Sequence, residues 1–235
     1  MKKLANSILL LTLIVAWQSC ISSQSLQKNQ TEMDSNKLTY LALGDSYTIG
    51  EGVEKPDRYP NQLVAKLKNT GIAFNEPTII ATTGWTTDEL QRGVEDAQIK
   101  GKLYDLVTLL IGVNNQYRGR SVENFREEFQ ALLQEAIRFA GEDTSKVIVL
   151  SIPDWGITPF ASDRNVDTEK VKREIDAFNS AKQAICSELG VTYIDITAHY
   201  RKYGNQPKSL VSDKLHPSAW IYDHWSDLLL GVIEK

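Results

Sequence analysis

The sequence predicts an α/β domain: five parallel strands in one sheet with helices on both faces, three layers in all. Three observations predict it. From Leu38 onward, short apolar runs alternate with longer amphipathic ones. Two of the short runs, Asp105–Ile111 (DLVTLLI) and Lys146–Ile152 (KVIVLSI), are apolar nearly throughout, as expected of strands covered on both faces. The longer segments between the runs repeat apolar residues at helical spacing, so each reads as a crossover helix joining parallel strands.

The elements follow in order. Leu38–Leu43 reads as the first strand. Tyr59–Lys68 reads as a helix, with Leu63, Val64 and Leu67 on one face and Gly71 beyond its end. Thr78–Ala81 is a short strand, and Thr87–Lys100 a second helix. Asp105–Ile111 is the third strand. In Ser121–Ala140, Phe125, Phe129, Leu132, Leu133, Ala136 and Ile137 share one helical face; Ser121 suits the cap and Gly141 the stop. Lys146–Ile152 is the fourth strand, ended by Pro153. Thr168–Leu189 is a long helix, with Val171, Ile175, Phe178, Ile185 and Leu189 inward and Gly190 past its end. Val191–Ile194 is the fifth strand. Pro217–Ile233 is the last helix, Pro217 suiting its first turn. There is no internal repeat and no second domain.

The N-terminus is a separate object. Lys2 and Lys3 precede an apolar run, Ile8–Trp17, broken only by Thr12 and followed by Gln18-Ser19-Cys20. A charged start, a short apolar stretch and a small residue before the cut describe a secretory signal peptide over residues 1–19. The run falls short of the ~20 residues that span a bilayer. Cys20 resembles the lipidated cysteine of bacterial lipoproteins, although Trp17 stands where a smaller aliphatic residue is usual. The expectation is an exported protein of the periplasm or cell envelope, anchored through a lipid at Cys20; cleavage without lipidation is the alternative. Residues 20–37 are rich in Ser, Gln, Asn and Lys without an apolar period, and read as a flexible tether to a domain over residues 38–235. Cys186, the other cysteine, lies in a predicted helix and reads as a small buried hydrophobe.

The 235-residue chain has a formal net charge of −4 and 42% hydrophobic residues. That composition supports a packed core and not a disordered chain. Without a basic stripe, nucleic acid is not an expected partner. Three histidines without acidic clusters at ligand spacing predict no metal site.

In open α/β sheets, ligands bind beyond the carboxyl ends of the strands. Gly44-Asp45-Ser46 follows the first strand, Thr83-Gly84-Trp85 the second, and Gly112-Val113-Asn114-Asn115 the third. Asp213-Lys214-Leu215-His216 precedes the last helix. A serine hydroxyl needs an adjacent base to act as a nucleophile. Histidine titrates in the right range to be that base. His199 and His224 compete with His216 for the role. His199 reads as a surface or cap residue, and His224 as packed or exposed within the last helix.

Those four blocks, in that order, resemble the SGNH (GDSL-type) hydrolases, serine esterases and lipases on a flavodoxin-like α/β fold. The resemblance runs from about Leu38 to the C-terminus. It implies Ser46 as nucleophile, His216 as general base and Asp213 as the acid that orients it. It implies an oxyanion hole made by the Ser46 and Gly84 N–H groups and the Asn114 side chain. Asp45 is not the family's triad acid and reads as shaping the turn. The expected chemistry is serine-dependent hydrolysis of carboxylic esters, as by an esterase or a lysophospholipase-like acyl hydrolase, through an acyl-enzyme on a small ester substrate and without a cofactor. A carbohydrate O-acetylesterase is the alternative, and an idle ligand-binding module the alternative of another class. Trp85, Tyr117 and Trp155 are candidates for the substrate pocket, on loops or strand ends where specificity is commonly carried.

Overall fold

The computed structural model describes residues 37–234. Five strands form one parallel sheet: β1 (Tyr40–Gly44), β2 (Thr78–Ala81), β3 (Leu106–Leu110), β4 (Val147–Leu150) and β5 (Thr192–Ile194), in the order β2-β1-β3-β4-β5. This is the flavodoxin-like order. Leu41 stands beside Thr78 on one side and Val107 on the other, and the register continues to Gly44 beside Ala81 and Leu110. Strands β1, β3 and β4 are buried along their whole length, which is why their sequences lack alternation.

Among the described residues, nine α-helices accompany the strands: α1 (Ser46–Ile49), α2 (Tyr59–Asn69), α3 (Thr87–Asp96), α4 (Val113–Tyr117), α5 (Val122–Phe139), α6 (Pro159–Ser162), α7 (Thr168–Leu189), α8 (Thr197–Tyr203) and α9 (Ala219–Ile233). On one face α2 packs against α9; on the other, α5 packs against α3 and α7. Leu63 and Leu67 of α2 are fully buried, each contributing about 1.5–3 kcal/mol of burial. They share that layer with a ring cluster in which Trp225 meets Tyr222 at 5.2 Å and Tyr59 at 6.3 Å. The opposite layer centres on Phe125, whose ring lies 4.7 Å from that of Phe178.

Helix α7 and strand β2 occupy the expected spans, and Ser121 caps α5 by accepting the Asn124 N–H at 3.1 Å. Most other boundaries shift by one or two residues, and three of the differences have a visible cause. The sheet begins at Tyr40, because Leu38 makes only an isolated bridge to Phe74. Helix α3 stops at Asp96, because Gln98 takes a positive φ of 51° that no helix continues through. Pro217 lies outside α9: it bridges Leu210, and that pairing delays the helix to Ala219. The short helices α1, α4 and α8, each following a strand, were not expected. The predicted signal peptide, the tether up to residue 36 and Cys20 lie outside the described residues. Among the described residues, no helix is long and apolar enough to cross a membrane.

Candidate active site

Strand β1 is the point where the sheet order reverses, since β2 lies on one side of it and β3 on the other. Crevices form at such points outside the carboxyl ends of the strands. Ser46 stands there as the first residue of α1. The carboxylate of Asp45 caps that helix, its Oδ1 accepting the Tyr47 N–H at 3.0 Å. Burial pushes the Asp45 carboxyl up to about 7, against the pull of that hydrogen bond. Gly44 is required by close approach: a Cβ there would sit 2.4 Å from the Leu110 carbonyl oxygen. The turn at Gly44-Asp45-Ser46 therefore presses against the neighbouring strand end and presents Ser46, only 4% exposed, to a pocket.

The pocket, about 190 Å³, is lined by Ser46, Gly84, Asn114 and His216, with Tyr117, Trp155 and Phe160 among its apolar walls. Gly84 adopts φ 88°, a conformation side-chain-bearing residues avoid. Its carbonyl is held by Arg118 Nη2 at 2.7 Å, and Arg118 Nη1 is held in turn by Glu89 Oε1 at 3.1 Å. Asn114 donates from Nδ2 to the Trp85 carbonyl at 2.9 Å. One amide hydrogen is used there and a second remains. Asn115, fully buried, binds Thr87 twice: its Oδ1 accepts the Thr87 N–H at 3.1 Å and its Nδ2 donates to Thr87 Oγ1 at 2.6 Å. Three side chains of one short segment thus stitch the Gly84 loop to α4. Among the described residues, the Ser46 and Gly84 N–H groups donate to no protein acceptor.

Asp213 and His216 share one loop. His216 Nδ1 and Asp213 Oδ2 are 2.6 Å apart, and Asp213 Oδ1 also accepts the His216 and Leu215 N–H groups at 2.9 and 2.8 Å. Partial burial raises the Asp213 carboxyl, but hydrogen bonds from the His216 ring and from these two N–H groups outweigh it and hold it below the usual range. A carboxylate facing Nδ1 assigns the proton to that nitrogen and leaves Nε2 with its lone pair. The loop is fixed by Tyr200, whose hydroxyl donates to the Leu215 carbonyl at 2.8 Å, and by the Val211 N–H donating to the His216 carbonyl at 3.0 Å. Ser46 Oγ makes no hydrogen bond to the ring among the described residues. Catalytic hydrogen bonds often tighten only when substrate binds.

His199 and His224 line no part of this pocket. Their rings stack on each other at 3.5 Å, and burial, followed by the neighbouring His224, pushes the His199 ring down to about 4. His199 sits within α8 and not at its cap.

Of the three aromatic pocket candidates, Tyr117 and Trp155 line the cavity and Trp85 does not. The Trp85 ring packs over Gly93 of α3, where any Cβ would overlap it, so only its backbone carbonyl reaches the site. Phe160, Leu215, Val113 and Tyr47 complete the apolar wall, and Arg118 orders the Gly84 loop. Sequence reading missed the role of Arg118. Its four-residue spacing from Asn114 becomes informative only once α4 is known to be helical. Among the described residues, no group of three or more His, Cys, Asp or Glu side chains is placed to hold a metal ion.

A hydroxyl, an imidazole oriented by a carboxylate, and free N–H donors around one small apolar pocket form a set suited to acyl transfer. The model of the GDSL-like lipase/acylhydrolase family matches residues 42–224. No curated protein sequence matches the chain. Among solved structures, the chain resembles a lipase/acylhydrolase from Enterococcus faecalis, at 20% identity and TM-score 0.66, covering 84% of this chain and 95% of that one. It resembles TesA at 17% identity and TM-score 0.65, covering 83% and 98%. It also resembles Axe2, an acetylxylan esterase from Geobacillus stearothermophilus, at 18% identity and TM-score 0.65, covering 84% and 94%. At such identities these likenesses speak to the fold, and the family match speaks to the chemistry. The chain belongs to the GDSL-like lipase/acylhydrolase family and is a carboxylic ester hydrolase.

Proposed function

We propose that the protein hydrolyses esters of short acyl chains through an acyl-enzyme on Ser46. The observation that carries this reading is the pocket itself: Ser46, His216 held by Asp213, Gly84 and Asn114 surround about 190 Å³ of largely apolar space. Ser46 Oγ attacks the ester carbonyl carbon while its proton passes to His216 Nε2. The oxygen that gains charge is met by the Ser46 and Gly84 N–H groups and the second amide hydrogen of Asn114. Collapse of this intermediate expels the alcohol, which takes the proton from His216. Water then attacks the acyl-enzyme, again giving its proton to His216, and the carboxylic acid leaves as Ser46 regains its hydrogen.

The likeness to an acetylxylan esterase supports a narrower second reading, in which acetyl groups on carbohydrate are the substrate. Both readings need the same serine. Hydrolysis of p-nitrophenyl acetate should be lost by about 10⁴-fold or more in Ser46→Ala, with the thermal midpoint preserved. Wild-type turnover in that variant would overturn the assignment. Acetylated xylan and p-nitrophenyl acetate compared at equal acetyl concentration separate the two readings.

A further inference from the structure

We propose that Tyr117 is a partition that limits acyl-chain length, and that a second cleft behind it takes a medium-length acyl chain once the ring is removed. The proposal rests on the esterase reading above and names the substrate range of that site.

Two cavities meet at this point. The catalytic pocket, about 190 Å³, and a neighbouring cleft, about 310 Å³, share Tyr117 and Trp155 as walls. The two rings touch edge to face, with centroids 5.2 Å apart and planes at 69°. They differ in how firmly they are held. Trp155 is 5% exposed, and its Nε1–H donates to Gln116 Oε1 at 2.8 Å. Gln116 is itself anchored by donating to Glu174 Oε2 at 2.7 Å. Tyr117 is 58% exposed, and its hydroxyl has no hydrogen-bond partner among the described residues. The fixed wall is therefore Trp155, and the removable one is Tyr117.

The cleft beyond has the character an acyl chain needs. Val166 and Val171 line it, while Asp167, Lys170 and Glu174 carry charge around it. A hydrocarbon chain can lie on the apolar part while the charged groups stay hydrated.

Placement distinguishes the acyl side from the alcohol side. His216 must give its proton to the leaving alcohol, so the alcohol lies beside His216. That residue enters from the face of the sheet where α9 packs on α2, its ring 5.5 Å from Tyr47. Tyr117 ends α4, which packs on α7 at the opposite face. The acyl chain, directed away from the alcohol, runs towards Tyr117.

The test holds the leaving group constant. p-Nitrophenyl acetate, butyrate, hexanoate, octanoate and decanoate are compared with the wild type, Tyr117→Ala, Tyr117→Phe and the double variant Tyr117→Ala/Val166→Trp. One methylene admitted to an apolar pocket changes specificity by about 10-fold or more. Tyr117→Ala should therefore raise the octanoate-to-acetate ratio of kcat/KM by at least about tenfold. Tyr117→Phe, which keeps the ring, should keep the wild-type ratio. The double variant, which refills the cleft, should return towards it. An unchanged ratio in Tyr117→Ala, or a uniform change at every chain length, overturns the proposal. Ser46-dependent hydrolysis with an unchanged ratio removes the partition alone. Absence of any Ser46-dependent hydrolysis removes the esterase reading and the partition with it.

Discussion

Asn114 and Asn115 are neighbours in sequence with opposite expected consequences. Asn114 keeps one amide hydrogen for the pocket and gives the other to the Trp85 carbonyl at 2.9 Å. On the proposed mechanism, replacing it with alanine removes one donor to the developing oxyanion and should raise the barrier by about 2.7–4 kcal/mol, or about 10²–10³ in kcat. The ground-state ester gains little from that donor, so KM should hardly change. The lost bond to Trp85 is worth about 1 kcal/mol of stability, roughly 2–4 °C in a chain of this size. Asn115 is fully buried and makes both of its bonds to Thr87. Asn115→Ala strands the buried Thr87 N–H, costing about 2–4 kcal/mol with the lost bonds, or roughly 5–15 °C. The assay is kcat and KM on p-nitrophenyl acetate beside thermal unfolding followed by circular dichroism. The expected pattern is a double dissociation: activity falls in one variant and stability in the other. A KM effect alone at Asn114, or a larger kcat loss at Asn115 in protein that is still folded, would show that the donor has been placed on the wrong asparagine.

Three further outcomes are expected. His216→Ala should lower kcat/KM by about 10⁴-fold or more, while His199→Ala and His224→Ala, whose stacked rings lie outside the pocket, stay within about threefold; the reverse order would reassign the base. The Asp45 carboxyl, raised from 3.8 to about 7 in the folded protein, holds its proton where the unfolded chain releases it. Its stabilising contribution is thus complete below about pH 3.8 and is lost as pH rises through about 7. Relative to Asp45→Asn, the wild type should lose up to about 1.4 kcal/mol per pH unit across that window, read from thermal melts at pH 5, 6, 7 and 8; parallel curves would refute the shift. We also propose export with lipidation at Cys20, motivated by the apolar run that ends at Ser19-Cys20. Intact mass of detergent-extracted protein should then show diacylglycerol on an N-terminal cysteine, and a mature chain starting elsewhere would exclude it.

Local periodicity carried most of the architecture. Runs such as DLVTLLI can be buried on both faces only as inner strands, and the spacing of Phe125, Phe129, Leu132 and Leu133 makes one face only on a helix. Alternation of the two leaves a parallel sheet as the simplest arrangement, so the order of elements could be read without coordinates. The strand-end blocks were legible for a related reason. Gly44 and Gly84 mark backbone that a side chain would obstruct or disfavour, and Asp213 and His216 lie close enough along the chain to meet within one loop. The four-residue helix that presents Ser46 and the five-residue helix that carries Asn114 had no such signal. They are too short to show a period and too short to be stable alone, so neighbouring strands must hold them. The same limit applies to the aromatics. Trp85, Tyr117 and Trp155 all stand near strand ends, yet only long-range packing sends the first onto Gly93 and leaves the other two as the walls between two cavities. Backbone conformation is dictated largely by neighbours along the chain. Side-chain destination is decided by which distant surface has room for it, and that becomes defined only when the layers close.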